Sequence, residues 1–400
     1  MPLTIVDFNN FWSPSGGGVR RYHLEKMNFY RYELDAISVF VMPDSRTYTE
    51  KLTDSLIIEH VKAFKFPGKW EYRMLWKKSQ IAPILKKYSP DIIEVGSPYL
   101  LPSLVRKVAK QIVPKAKLLG FWHADFPITY VKRPITEKFG KTLGNLAAKI
   151  AFWYARQEYK YYNGIEVSAE EVLHRLKRNG LPTSYHIPLG CDINMFSPQK
   201  RDEKLVSLLK QGSESRRIIF FPHRFCKEKG LDLVLKAYPL LEKKLGEAPA
   251  LVLAGTGPLL PEVLEAAKKF PNIRYVGFIS SLEEMARYYA SADIGLALSG
   301  WETFGLSILE SMACGNAQVA ANSGAAAEHI RKSSAGLLLK RRSANELADK
   351  IAQLLSELNP DLKQSARQYA EKYSWKACFE RQLNLYREIV QTSNHQRGIL

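Results

Sequence analysis

Two glutamates with seven residues between them bracket an apolar turn in the run Trp301-Glu302-Thr303-Phe304-Gly305-Leu306-Ser307-Ile308-Leu309-Glu310. The run follows a strand-like stretch, so it reads as a loop feeding a helix. Backbone N–H groups in the first turn of a helix have no partner within it and hold anions well. Gly305, with Phe304 and Leu306 beside it, therefore marks a site for a phosphorylated ligand. Glu310 falls about one and a half turns further in, within reach of ribose hydroxyls while the N–H groups hold phosphate. The chemistry this predicts is nucleotide binding.

The spacing of Glu302 and Glu310 around Phe304-Gly305-Leu306 resembles the signature of retaining glycosyltransferases of family 4. The flanks extend the resemblance: Tyr289-Ala290-Ser291-Ala292-Asp293-Ile294-Gly295-Leu296-Ala297-Leu298-Ser299 upstream, Ser311-Met312-Ala313-Cys314-Gly315 downstream, then Val319-Ala320, Ser323-Gly324 and Glu328. Two departures touch the segment beside the sugar. Gly315-Asn316-Ala317-Gln318 stands where Gly-x-Pro-Val is usual, and Ala325-Ala326-Ala327 precedes Glu328 where glycine is common. The resemblance implies a GT-B fold and transfer of a hexose from a nucleotide-diphosphate sugar. It also implies front-face attack, in which the departing phosphate helps deprotonate the acceptor hydroxyl while Glu302 contacts the transferred sugar.

Such a transfer requires neutralising the charge that develops on the diphosphate, by metal or by fixed cations. No Asp-x-Asp metal motif is present, so no metal or other cofactor is expected and cations must serve. In Pro222-His223-Arg224-Phe225-Cys226-Lys227-Glu228-Lys229-Gly230, Arg224 can clamp oxygens bidentately and Lys229 supplies a point charge. The pair resembles the family's Arg and Lys. In Ala254-Gly255-Thr256-Gly257-Pro258, Gly257 lets backbone approach the donor closely. Leu260 stands in place of a third glycine, which removes an NAD fingerprint, and Ile135 ahead of Phe139-Gly140-Lys141-Thr142 removes a P-loop. In the family, the turn Val276-Gly277-Phe278-Ile279 contacts the nucleotide base, which makes Phe278 a donor residue.

Ser15-Gly16-Gly17-Gly18-Val19-Arg20 follows the first strand and opens a helix. Gly17 and Gly18 allow the backbone to wrap a phosphate or sugar, and Arg20 adds a cation on the acceptor side. Phe121-Trp122-His123-Ala124-Asp125-Phe126-Pro127 resembles the His-x-Asp-Phe-Pro stretch of members that glycosylate lipid acceptors. There His123 lies beside the transferred sugar and Asp125 faces the acceptor; an unperturbed histidine could take either protonation state near neutrality.

These residues need rigid supports at strand ends. Short apolar runs alternate with amphipathic stretches throughout, the pattern of α/β layers. Strands are expected at Leu3–Val6, Ala36–Val41, Asp91–Val95, Lys117–Phe121 and Gly164–Val167, and again at Arg217–Phe221, Ala250–Ala254, Ile273–Val276, Ile294–Leu298 and Gln318–Ala321. This predicts two Rossmann-like domains facing across a cleft: 1–194 on the acceptor side, and 195–374 binding the nucleotide-sugar. The final helix, about 375–400, packs back on the first domain.

At 400 residues and 46% hydrophobic content the chain can bury a large core. The start lacks a basic n-region, no apolar run spans a bilayer, and Cys191, Cys226, Cys314 and Cys378 are widely separated singles. A cytoplasmic protein without structural disulfides is expected. Its net charge of +18 calls for a polyanionic partner. Lys62, Lys65, Lys69, Arg73, Lys77, Lys78, Lys86 and Lys87 are interleaved with Phe64, Phe66, Trp70, Tyr72, Leu75 and Trp76, and Lys132, Arg133, Lys138 and Lys141 follow Tyr130. Basic residues among aromatics suit an anionic membrane interface, which predicts peripheral association with the inner face of the membrane. A solvated basic helix face has the same composition. No zinc-finger spacing, RNP-like motif or Arg-rich repeat points to nucleic acid. A lipid or lipid-linked acceptor is expected; the same chemistry on a soluble sugar or polysaccharide, and a non-catalytic basic binding protein, are the alternatives.

Overall fold

The computed structural model describes residues 2–12, 17–33, 35–65 and 72–395. Of the residues singled out above, Ser15, Gly16, Phe66, Lys69 and Trp70 lie outside this set. The chain divides into two compact units, Met1–Leu189 joined by Trp375–Leu400, and Gly190–Ser374.

In the first unit β1 (Leu3–Phe8), β2 (Ala36–Asp44), β3 (Tyr48–Lys51), β4 (Leu56–Lys62), β7 (Ile92–Val95), β8 (Lys117–Phe121), β9 (Gly164–Val167) and β10 (Ser184–His186) form one sheet in the order β10-β9-β8-β7-β1-β2-β4-β3. Every pairing is parallel except that of β3 with β4. Two short strands, β5 (Phe64–Lys65) and β6 (Arg73–Met74), pair antiparallel apart from it. Parallel strands are covered on both faces, so their sequences run apolar rather than alternating. Ile5, Phe40, Ile92 and Leu119 pack there with Leu383 and Tyr386 of the helix Trp375–His395.

This core holds charge as well as hydrocarbon. The Lys26 ammonium, fully buried, donates to Asp7 at 2.9 Å and to Glu94 at 2.7 Å. From the last helix Gln382 donates to Glu166 at 2.6 Å, and the Tyr386 hydroxyl donates to Glu94. Interior charges persist only when paired and hydrogen-bonded, so this cluster fixes the last helix against β7 and β9.

The second unit has β11 (Ile218–Pro222), β12 (Ala250–Ala254), β13 (Ile273–Tyr275), β14 (Ile294–Ala297), β15 (Ala317–Ala321) and β16 (Gly336–Leu339), all parallel, ordered β13-β12-β11-β14-β15-β16. Ile219, Phe221, Leu253, Ile294 and Val319 form its core with Leu231, Val234, Leu347 and Ile351 from the flanking helices. Each of the ten expected strands is present. The strand order reverses between β11 and β14, and open parallel sheets bind ligands at the carboxyl ends of strands at such a switch point.

Candidate functional site

The loops leaving β11 and β14 meet at this switch point. The β11 loop carries Arg224 and Lys229, and the β14 loop carries Glu302. The Lys229 ammonium donates to the Glu302 carboxylate, and with His223, Ser299, Ser307 and Ile308 the pair lines a crevice. Burial works against charge on both partners, yet each is held ionised by the other: Lys229 is raised above its ordinary value and Glu302 lowered below its own. Arg224 is exposed, with its guanidinium 3.4 Å from Glu228. The β11 loop thus presents one exposed and one partly buried cation, the latter paired with the carboxylate of the β14 loop.

Gly257 supports this loop from below. At φ +155°, its missing Cβ would stand 2.5 Å from the Phe225 carbonyl, so only glycine lets the β12 turn close on the Arg224 loop. The absent side chain is therefore filled by protein backbone; this packing is what the position demands, whatever ligand lies beyond. Phe278, on the turn after β13, is 69% exposed and offers an open ring face. Among the described residues no group of three or more His, Cys, Asp or Glu is arranged to hold a metal ion.

Gly305 caps the helix Leu306–Ala313 at φ +84°, where a Cβ would meet Ile308 at 2.7 Å. Leu306 takes the first helical position, and Glu310 lies half-buried on the next turn. Phe304 is 3% exposed, and its ring packs edge-on against His329 and Tyr373. Its side chain is core; what it offers a ligand is backbone. His329 bonds the Phe304 carbonyl at 2.6 Å and the Tyr369 hydroxyl at 2.9 Å, which sets the loop's orientation. The amide of Ala325 donates to the Glu302 carbonyl at 3.2 Å, and Ala325, Ala326 and Ala327 are fully packed. Ala317 and Gln318 stand in place of the usual Pro-Val, and the side-chain amides of Gln318 and of its neighbour Asn316 both donate to the Ser311 hydroxyl, at 2.8 and 3.3 Å.

Neither His223 nor His329 was assigned a role above. His223 lies in the crevice with a ring nitrogen 3.0 Å from the Leu296 carbonyl. Burial, and for His223 the Lys229 charge, push both imidazoles down to about 4, so both are neutral at pH 7. Single histidines have no period or spacing that marks them in a sequence.

The remaining expected residues belong to the first unit. Gly17 caps and Gly18 opens the helix Gly18–Tyr30, and the Arg20 guanidinium lies 5.8 Å from the Trp12 ring centroid. His123 stacks on Phe121 at 4.2 Å and meets Tyr22 edge-on at 5.0 Å. Burial and the neighbouring His23 hold it well below its ordinary value, which corrects the expectation of either protonation state: this ring is neutral near pH 7. Asp125 is 2% exposed and ion-pairs with Arg175, a residue that spacing did not single out. Its carboxylate is buried against the helix Glu170–Arg178, which carries Arg175.

The family described as Glycosyl transferases group 1 matches residues 208–373, nearly all of the second unit. This chain is a glycosyltransferase with a group 1 domain. The glycosyltransferase is 27% identical over 340 residues to a Mycobacterium tuberculosis protein named GDP-mannose-dependent alpha-(1-6)-phosphatidylinositol dimannoside mannosyltransferase, with 83% of each chain covered. It is 25% identical over 265 residues to a Corynebacterium glutamicum GDP-mannose-dependent alpha-mannosyltransferase, covering 65% of this chain and 57% of that one. Among solved structures it is similar to the sucrose-phosphate synthase of Thermosynechococcus elongatus (TM-score 0.77, 16% identity, 98% and 100% of the chains). A glycosyltransferase from Rickettsia africae gives a TM-score of 0.70 at 21% identity, over 97% and 99%. The fold is of the GT-B type, and the resemblance to family 4 holds.

Proposed function

We propose that this glycosyltransferase moves a mannosyl residue from GDP-mannose, with retention at the anomeric carbon and without a metal, to a hydroxyl of a phosphatidylinositol-type lipid at a membrane surface. The observation that carries the proposal is the Lys229–Glu302 pair, with Arg224, at the switch point of the group 1 domain. The names of the relatives support the donor and the acceptor class.

In this reading the first helical amides after Gly305 and the Lys229 and Arg224 cations hold the diphosphate, Phe278 stacks on the base and Glu310 takes ribose hydroxyls. The bond from the anomeric carbon to the phosphate oxygen breaks. That oxygen accepts the proton of the acceptor hydroxyl, whose oxygen bonds the same face of the sugar. Lys229 and Arg224 neutralise the charge left on GDP, so the protein's contribution is positioning and fixed electrostatics. Glu302, ionised by Lys229, orients the sugar. The chain's net charge and the exposed Lys62, Lys65, Lys77 and Lys78 support association with an anionic bilayer, and no helix among the described residues is long and apolar enough to cross one.

The test is GDP release and lipid labelling with radiolabelled GDP-mannose, and UDP- and ADP-sugars for comparison, on vesicles containing phosphatidylinositol mannosides, with and without EDTA. Labelled lipid from GDP-mannose alone, unchanged by EDTA and α-linked by NMR, is expected. Transfer only to soluble acceptors, or dependence on added metal, overturns the corresponding part of the proposal.

A further inference from the structure

The helix Lys141–Tyr159 turns one face inward through Gly144, Ala148, Ala151, Phe152, Ala155 and Tyr159. Its other face is not polar. Leu143, Leu146, Ile150 and Trp153 are 49, 54, 58 and 54% exposed. At about 100° per residue these four fall within a stripe roughly 80° wide, so the apolar side chains line up along the helix. Phe139, just before the helix, is also more than half exposed. Isolated exposed hydrophobics are ordinary, but a contiguous row on one helix marks a contact surface.

Charge identifies the occupant. Lys149, Arg156 and Lys160 are exposed and follow one edge of the stripe on the same helical geometry, while Lys138 and Lys141 stand at its start. Residues 130–161 carry seven Lys or Arg against two Glu. Glu137 is paired with Arg133, and Glu158 is buried and bonded to Ser103. An apolar row edged by cations is complementary to a surface with hydrocarbon beneath and anions above, whereas a protein core would meet the row without needing the cations.

We infer that the helix Lys141–Tyr159 lies in the plane of an anionic lipid bilayer, with Leu143, Leu146, Ile150 and Trp153 inserted among the acyl chains and Lys149, Arg156 and Lys160 on the headgroup phosphates. This deepens the membrane part of the proposed function and takes its choice of partner from that reading. It assigns the docking surface to a helix outside the basic segment 62–87.

Vesicles of phosphatidylcholine, with or without phosphatidylglycerol, are the probe. Cosedimentation of the full chain is expected to be strong only with phosphatidylglycerol. L146S/I150S/W153S should lower the partition coefficient by roughly tenfold or more, and K149Q/R156Q/K160Q should lower it on anionic vesicles while leaving it unchanged on neutral ones. Brominated acyl chains should quench the parent's tryptophan fluorescence and quench W153F less. All six side chains are exposed, so melting temperatures should match the parent and GDP-mannose hydrolysis in the absence of vesicles should persist. Variants that partition like the parent overturn the inference. So does a parent dimer that becomes monomeric in L146S/I150S/W153S with unchanged vesicle binding, because a second copy then covers the row. Vesicle binding lost in these variants, with no lipid labelled from any donor by the parent, retains the docking surface and overturns the acceptor instead.

Discussion

Lys229 and Glu302 come from loops 73 residues apart in the chain and hold each other ionised. If Lys229 neutralises the leaving group, Lys229→Ala should lower kcat by roughly a hundred- to a thousandfold, the range for losing one electrostatic donor in a preorganised site. The melting temperature should stay near the parent's. Glu302→Gln should also lower kcat while keeping the fold, since Lys229 retains a hydrogen-bond acceptor there. Initial rates of GDP release decide the matter: parental turnover in Lys229→Ala would remove the lysine from the mechanism. Both residues were singled out in the sequence by their likeness to the glycosyltransferase motifs, Glu302 through its spacing to Glu310 and Lys229 through its place beside Arg224 after a strand. Arg175, which pairs with Asp125, was not, because its partner is 50 residues away and only the fold brings them together.

At the scale of elements, the long apolar strands of both sheets announced themselves, and the others did not for identifiable reasons. The three-residue β10 is too short to show a pattern, and β16, Gly336-Leu337-Leu338-Leu339, reads equally as the start of a helix. In β4 a buried glutamate, Glu59, held by Lys87 at 2.7 Å, interrupts the apolar run. The largest hidden feature is the charge cluster beneath β1 and β7, since Lys26 sits in a helix sequence that looks solvent-facing. Replacing Lys26 with methionine leaves Asp7 and Glu94 buried without their cation. The expected cost is about 3–5 kcal/mol, the range for breaking a buried pair from one side. Urea unfolding followed by hydrogen exchange in β1 and β7 should show the loss confined to the first unit. A change below about 1 kcal/mol would mean that the carboxylates are already protonated and the lysine is not their counterion.

Over the whole molecule, the two units carry different balances of acid-sensitive groups, and this gives a prediction that neither unit makes alone. In the second unit His223 and His329 have folded values near 4 against an ordinary 6.5. A depressed histidine contributes its full stability above pH 6.5 and loses it as pH falls toward 4, because the unfolded chain takes up the proton first. For His329, 3% exposed, the loss amounts to about 2 kcal/mol by pH 5. The first unit has one such histidine, His123, but it also has Glu166, which burial and then the neighbouring Glu94 push well above 4.5. A raised carboxyl acts in the opposite sense: its contribution is full below 4.5 and declines as pH rises through its folded value, so acidification from neutrality strengthens it. Between pH 7 and pH 5 the second unit should therefore loosen more steeply than the first. Hydrogen exchange by mass spectrometry, corrected for intrinsic rates, should show protection falling faster in β14 and β15 than in β7 and β9. His329→Phe should flatten the pH dependence of the second unit alone, at a constant cost from the lost bonds to Phe304 and Tyr369. Equal slopes in the two units would show that Glu166 is ionised in the fold and that Gln382 and Tyr386 hold a charge there rather than a proton.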